Sequence, residues 1–187
     1  MMLLPLATEP FALPTERDML PSERRAFVNT HRTCVLGYAR RSDGPAQSVV
    51  YYIPTDSGEL LIATMCARAK AKAVERLGKV SLLVLDEQWP VGYLTVYCDA
   101  VVDRDHALTT DVAMAVAGRM SGTPLGDDAR PFVEAMVKEE GRVVLRCTPY
   151  ATFATPPRQL HRNDQDEKLT HWLSGSVPWD AADPTVD

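Results

Sequence analysis

No stretch of this 187-residue chain approaches the ~20 consecutive apolar residues of a membrane-spanning helix. Its four cysteines, Cys34, Cys66, Cys98 and Cys147, form no C-x-x-C pair, and a disulfide set is not expected in a chain of this size with an adequate core. They read as buried small hydrophobes. No two of His31, His106, His161 and His171 stand three or four residues apart, so no metal centre is expected. No G-x-S-x-G elbow frames a serine, which leaves nucleophilic catalysis without support. The turn TMCARAK lacks the glycines of a dinucleotide fold or a P-loop. A formal net charge of -5 argues against general binding to nucleic acid or to a membrane surface. The N-terminal MMLLPLATEPFALP has no basic start and is broken by Pro5, Pro10 and Pro14, so it is not read as a secretory signal, and the expected location is cytoplasmic.

What is present is an ordinary globular composition, 45% hydrophobic and 24% charged, which predicts one domain over 1–187 with a real core. Prolines gather at both ends and mark two extended arms, 1–21 and 156–187. The stretch Leu60–Val84, LLIATMCARAKAKAVERLGKVSLLV, organises the middle. It reads as a buried strand, a turn carrying Thr64, a helix from Ala67 to Leu77, and a second buried strand. Ala67, Ala71, Val74 and Leu77 make the apolar stripe of that helix, and Gly78 occupies the left-handed C-terminal position. The charges run against local electrostatics. Arg68, Lys70 and Lys72 crowd the end where the helix dipole disfavours cations, and Arg68, Lys72 and Arg76 stack like charges at i, i+4 and i+8, with Glu75 a partial offset. Two readings are open here: a solvated basic face, or a helix start built to seat an outside phosphate.

Around this unit the chain reads as a short helix from Ser22 as N-cap, a strand Thr33–Arg40, an Asp43-Gly44 turn, a strand Ser48–Ile53, and a turn at Asp56-Ser57-Gly58. A long strand follows in which Leu94, Val96, Cys98, Ala100 and Val102 point one way and Tyr93, Thr95, Tyr97 and Asp99 the other. HALTTDVAMAVAGRM predicts a helix with Leu108, Val112, Ala115 and Val116 inward. A second helix is predicted over Asp127–Glu140, with Phe132, Val133, Met136 and Val137 on one face and Pro131 in its first turn. A last strand runs from Arg142 with a bend at Pro149. Six strands joined mostly by tight turns, with one helix between the third and fourth, favour a mainly β fold with flanking helices: a six-stranded antiparallel split β-barrel rather than a doubly wound sheet. Tyr51, Tyr52, Trp89, Tyr93 and Tyr97 could flank a flat ring or pack in the core, and Trp172 and Trp179 in the polar tail are expected to dock on their own domain or on a partner.

The succession SVVYY, DSGELLIAT and ARAKAKAVERLGKVSLLV resembles the pyridoxamine 5′-phosphate oxidase-like, flavin-binding split-barrel superfamily over about residues 27–103. The resemblance implies a homodimer with two FMN sites at the subunit interface. It implies that Thr64 is the strand-end hydroxyl near the FMN phosphate and Lys70 the phosphate-binding lysine. Arg68 stands in for the arginine that normally precedes that lysine, a place held here by Ala69. Ser48, Val49, Val50, Tyr51 and Tyr52 match the strand whose backbone lines the isoalloxazine edge. Ser48 and Ile53 occupy places where vitamin B6 oxidases carry a basic residue, Gly92 stands where they have glutamine, and the tail lacks an R-L-x-P-like ending, so vitamin B6 oxidase activity is not expected. The implied function is an FMN-dependent oxidoreductase acting on an unknown small molecule, for instance an aromatic or quinone-like electron acceptor; no catalytic acid or base is named. Two alternatives stand beside it. One is a deazaflavin-dependent reductase, whose longer anionic tail would employ Lys72 and Arg76; the other is a non-catalytic flavin or heme binder.

Overall fold

The computed structural model describes residues 1–5, 19–86, 92–155 and 176–185. Helix α1 (Pro21–Thr30) leads into strands β1 (Thr33–Tyr38) and β2 (Ala46–Tyr51). A break at Tyr52 separates β2 from the two-residue β3 (Ile53–Pro54), and β4 (Leu60–Met65) follows. Helix α2 (Ala69–Leu77) joins β4 to β5 (Lys79–Asp86), which pairs with β6 (Gly92–Asp103). Helix α3 (His106–Ser121), a 3₁₀ turn (Asp127–Ala129) and α4 (Arg130–Glu139) precede β7 (Arg142–Thr155), and β8 (Ser176–Pro178) lies on β7. The sheet order is β2-β1-β5-β6-β7-β4-β3, with every pair antiparallel. This curled sheet is the expected split barrel. Its six long strands are the predicted ones, and β3 and β8 are short additions.

Period-two alternation decides which side chains fill the barrel. Val80, Leu82 and Val84 of β5, Leu94, Val96, Cys98 and Ala100 of β6, and Val143, Leu145 and Cys147 of β7 form one core. Phe27 and Val28 of α1 and Ala71 and Val74 of α2 pack into the same core. On the other side of the sheet, Leu61 and Val144 pack with Ile53 and with Val112 of α3. Strand β7 bends where predicted, at Pro149. The register against β6 skips Tyr150 between Tyr97↔Ala151 and Cys98↔Pro149, a one-residue bulge.

Several local expectations are corrected. Pro21 begins α1, so the N-cap is Leu20; its N–H donates to Glu23 (2.7 Å), while Ser22 Oγ donates to Asp183 in the tail (2.5 Å). Helix α2 begins two residues later than expected, and Ala67 and Leu77, predicted to be inward, are exposed. Phe132 is also exposed (74%), because α4 turns Val133 and Val137 inward instead. Cys34, Cys98 and Cys147 are buried as expected, but Cys66 is exposed in the β4–α2 turn. Burial pushes the Cys147 thiol up to about 12 and raises Cys34 and Cys98 in the same direction, so these three are inert core atoms. Trp179 docks on its own domain, packing on the barrel core while Arg25 donates to its carbonyl (2.9 Å). Trp89, Trp172, His161 and His171 lie outside the described residues.

Candidate functional site

Strand β2 ends the sheet order, so one backbone edge carries no ladder partner among the described strands. Across from that edge comes β4, and the gap between them is the split of the barrel. The two faces of the gap differ because the strands alternate. Leu60 and Ile62 belong to the barrel core, whereas Leu61 and Ala63 belong with α3. Thr64 therefore faces the barrel side, and Ala63 and Met65 face the α3 side. On β2, Val50 packs on the barrel core, so Ser48 shares its face and Val49 and Tyr51 take the other.

The barrel face of the gap is polar. Thr64 is buried at the end of β4, and the chain turns through Arg68, whose N–H donates to Met65 (3.0 Å), into α2. Arg68 is the N-cap residue, and its side chain makes no capping hydrogen bond. The N–H groups of Ala69, Lys70 and Ala71 are thus first-turn donors without an intrahelical acceptor. Lys70 is half-buried, and burial, reinforced by the Arg68 guanidinium, pulls its ammonium below the ordinary lysine value. Glu75, the expected offset, pairs instead with Arg104, and Arg76 donates to the Ala39 carbonyl (2.7 Å). Lys72 is exposed. The Ser48 hydroxyl oxygen is buried and has no hydrogen-bond partner among the described residues. A buried hydroxyl left unpaired is costly, and so is a half-buried ammonium facing another cation and a bare helix start. A dianionic phosphate at the start of α2 would relieve the last two, so the residues there fit the phosphate end of a flavin nucleotide.

The α3 face of the gap is a cleft of about 340 Å³. Val49, Val50 and Tyr51 of β2 form one wall, with Val49 73% exposed. Small or apolar residues of α3, among them Ala113, Val116 and Met120, form the opposite wall together with Met136 of α4. Ala63 and Arg142 lie at the β4–β7 end, where Arg142 is paired in register with Met65. Of the residues named from sequence, Val49, Val50 and Tyr51 line this cleft, while Tyr52 is buried in the barrel core. Thr64, Arg68 and Lys70 gather at the β4–α2 turn, Ser48 lies on the barrel face of β2, and Lys72 stands one turn along α2 in solvent. Sequence reasoning missed the α3–α4 wall and Arg142. Arg142 was legible only as the first residue of a strand, without a neighbouring motif. Among the described residues no three His, Cys, Asp or Glu side chains are placed to hold a metal ion, and no helix is long and apolar enough to cross a membrane.

Solved structures share this fold. A conserved hypothetical protein from Mycobacterium tuberculosis is 24% identical over 79% of this chain and 91% of its own, with a TM-score of 0.66. A FAD-binding protein from Mesorhizobium loti is 17% identical over 73% and 94%, with a TM-score of 0.54. A heme storage protein from Vibrio cholerae is 18% identical over 71% and 91%, with a TM-score of 0.50. At these identities the likeness is one of fold. No curated protein matches the chain. The pyridoxamine 5′-phosphate oxidase family model, in contrast, matches residues 20–155, a span that runs from α1 through β7 and includes both faces of the gap. The chain therefore belongs to the pyridoxamine 5′-phosphate oxidase family of flavin-binding split barrels.

Proposed function

We propose that this protein is an FMN-dependent oxidoreductase acting on a small molecule other than a vitamin B6 phosphate. The observation that carries the reading is the conjunction at the β4–α2 turn: a half-buried Lys70 held below its ordinary pKa beside a helix start whose N-cap side chain makes no capping hydrogen bond. Thr64, Arg68, Lys70 and the buried Ser48 hydroxyl hold the phosphate on the barrel face. The free edge of β2 at Val49–Tyr51 meets the polar edge of the ring on the cleft face. When bound, FMN supplies hydride and single-electron chemistry. The chain's own work is to fix the anion, present strand backbone to the ring and keep water from the apolar cleft. The reading includes a homodimer, and exposed apolar side chains such as Val101 and Leu77 offer surface to a second copy. Ser48 in place of a basic residue, and Gly92 in place of glutamine, remove the side chains a vitamin B6 oxidase uses.

A second reading, a deazaflavin coenzyme in the same seat, is favoured by one observation. Lys72 is exposed, with no hydrogen-bond or ion-pair partner among the described residues, and could meet a longer anionic tail. Arg76, expected to join it, is committed to Ala39.

The pH dependence of FMN affinity tests the seat. The phosphate gains its second charge near pH ~6. Binding favours the Lys70 ammonium, which in the free protein is pulled down by burial and by Arg68. Affinity should thus rise through the phosphate transition, hold, then fall as pH climbs through the lowered Lys70 value, earlier than an ordinary lysine would release its proton. Fluorescence-quenching titrations should show that alkaline fall, and Lys70→Arg should move it out of range. An affinity flat up to the ordinary lysine value would contradict the assignment.

Ser48→Ala separates the costs in the free and bound proteins. Loss of the orphaned hydroxyl should stabilise the flavin-free protein by about 1 kcal/mol while weakening FMN binding by about five- to tenfold. Thermal melts and FMN titrations of the same variant check the opposite signs.

A further inference from the structure

We propose that the cleft between β2 and the α3–α4 layer is a subsite for an apolar aromatic carboxylic acid, with Arg142 binding its carboxylate in exchange for Glu140. The proposal gives the flavin site its ligand class and rests on that reading. A volume of about 340 Å³ lies within the range of small-molecule sites, which pair apolar walls with few polar groups. Val49 and Tyr51 face Val116, Ala117, Met120 and Met136 across it, so the body of the ligand must be apolar. Among the described residues, Arg142 is the one ionised side chain on the lining.

Arg142 belongs to the cleft face of β7. It pairs in register with Met65 and neighbours Val143, a barrel-core residue, so its side chain is on the α3 face with Ala63 and Met65, opposite Thr64. It marks a second anion position, on the face of the β4–β7 ladder opposite the Thr64 side chain. Its present partner is replaceable. Nε donates to Glu140 (2.6 Å), and both side chains are about a third exposed or less yet open to water, the setting in which an ion pair is weak. The two terminal guanidinium nitrogens have no partner among the described residues. A carboxylate arriving through the cleft meets that open fork and can bind through two parallel N–H···O bonds, which the single Nε contact to Glu140 does not supply.

The test uses 2-naphthoate and its neutral isostere 2-naphthamide. Each protein is first loaded with FMN and its flavin content measured, then titrated with either compound by calorimetry while flavin absorbance is followed. The acid should bind beside retained FMN and at least about tenfold more tightly than the amide. Arg142→Gln should abolish that preference, and Glu140→Gln, by removing the competing carboxylate, should tighten acid binding by about threefold. Equal binding of acid and amide, an unchanged preference in Arg142→Gln, or displacement of FMN by the acid would each overturn the subsite. Failure of the flavin reading appears separately, as no FMN bound at the loading step; the same titrations on the flavin-free protein then decide the subsite alone.

Discussion

Lys70→Glu should lower FMN affinity by about a hundredfold or more while the fold persists, a loss that combines a charge-assisted hydrogen bond with new repulsion of the phosphate. The persistence of the fold follows from where Lys70 sits. It is the second residue of α2, half-buried, while Ala71, Ala73 and Val74 carry the helix's packing. A glutamate near a helix N-terminus is itself favourable to the helix by about 0.3–1 kcal/mol, and it would relieve the repulsion from Arg68. The variant is therefore expected to melt at or slightly above the wild-type temperature while losing the cofactor. This divergence distinguishes a ligand role from a structural one, because a lysine kept for the fold would lose both together. Calorimetric titration with FMN and a melt on the same sample check it.

Arg119→Met should cost about 3–5 kcal/mol of stability and lower Tm by about 6–15 °C. Arg119 is buried near the end of α3 and donates to three main-chain carbonyls, those of His31 (3.3 Å), Tyr52 (3.1 Å) and Leu4 (3.1 Å). Burial lowers its guanidinium below the ordinary arginine value, partly offset by Tyr52, yet an arginine stays charged, so these acceptors are what make burial tolerable. Methionine fills much of the volume but leaves acceptors from the α1–β1 junction, the β2–β3 break and the N-terminal segment without a donor. The same contact places α3 against the gap, and the next residue, Met120, lines the cleft. Differential scanning calorimetry should show the fall in Tm, and a change of less than about 2 °C would remove Arg119 from its structural role.

The barrel was legible because its evidence is local. Strand β6 alternates from Leu94 to Ala100, and the structure buries those residues and leaves the intervening ones at least partly open. Gly78 takes the left-handed conformation that ends α2 (φ 63°), as its place after the apolar stripe required. The cations of α2 were visible as a conflict with the helix dipole, and the structure sharpens that conflict by giving Glu75 to Arg104. The cleft was not legible. It forms where α3 and α4, placed between β6 and β7, are carried back across the sheet to β2, roughly 60 residues earlier in the chain. No periodicity announces such a meeting. Helix α3 has buried residues on more than one side, among them Thr109, Thr110 and Arg119, so its pattern does not reveal the wall that faces Val49 and Tyr51. Cys66 and Phe132 misled for a simpler reason: apolar character predicts burial only on average, and a turn or the far side of an amphipathic helix overrides it. Tyr52 was read as the continuation of a strand. Instead its hydroxyl donates to the Val28 carbonyl (2.5 Å) deep under α1, and that anchor breaks the chain into β2 and β3.

A phosphate seat at the start of α2 requires the protein to tell FMN from riboflavin. Both carry the same ring, so they differ only at the end assigned to Thr64, Arg68, Lys70 and Ser48. Calorimetry on the purified protein should give FMN at least about a hundredfold tighter than riboflavin, with most of that gap gone in Lys70→Ala. Equal affinity for the two flavins, or a gap that survives the loss of Lys70, would place the nucleotide's anion away from the start of α2.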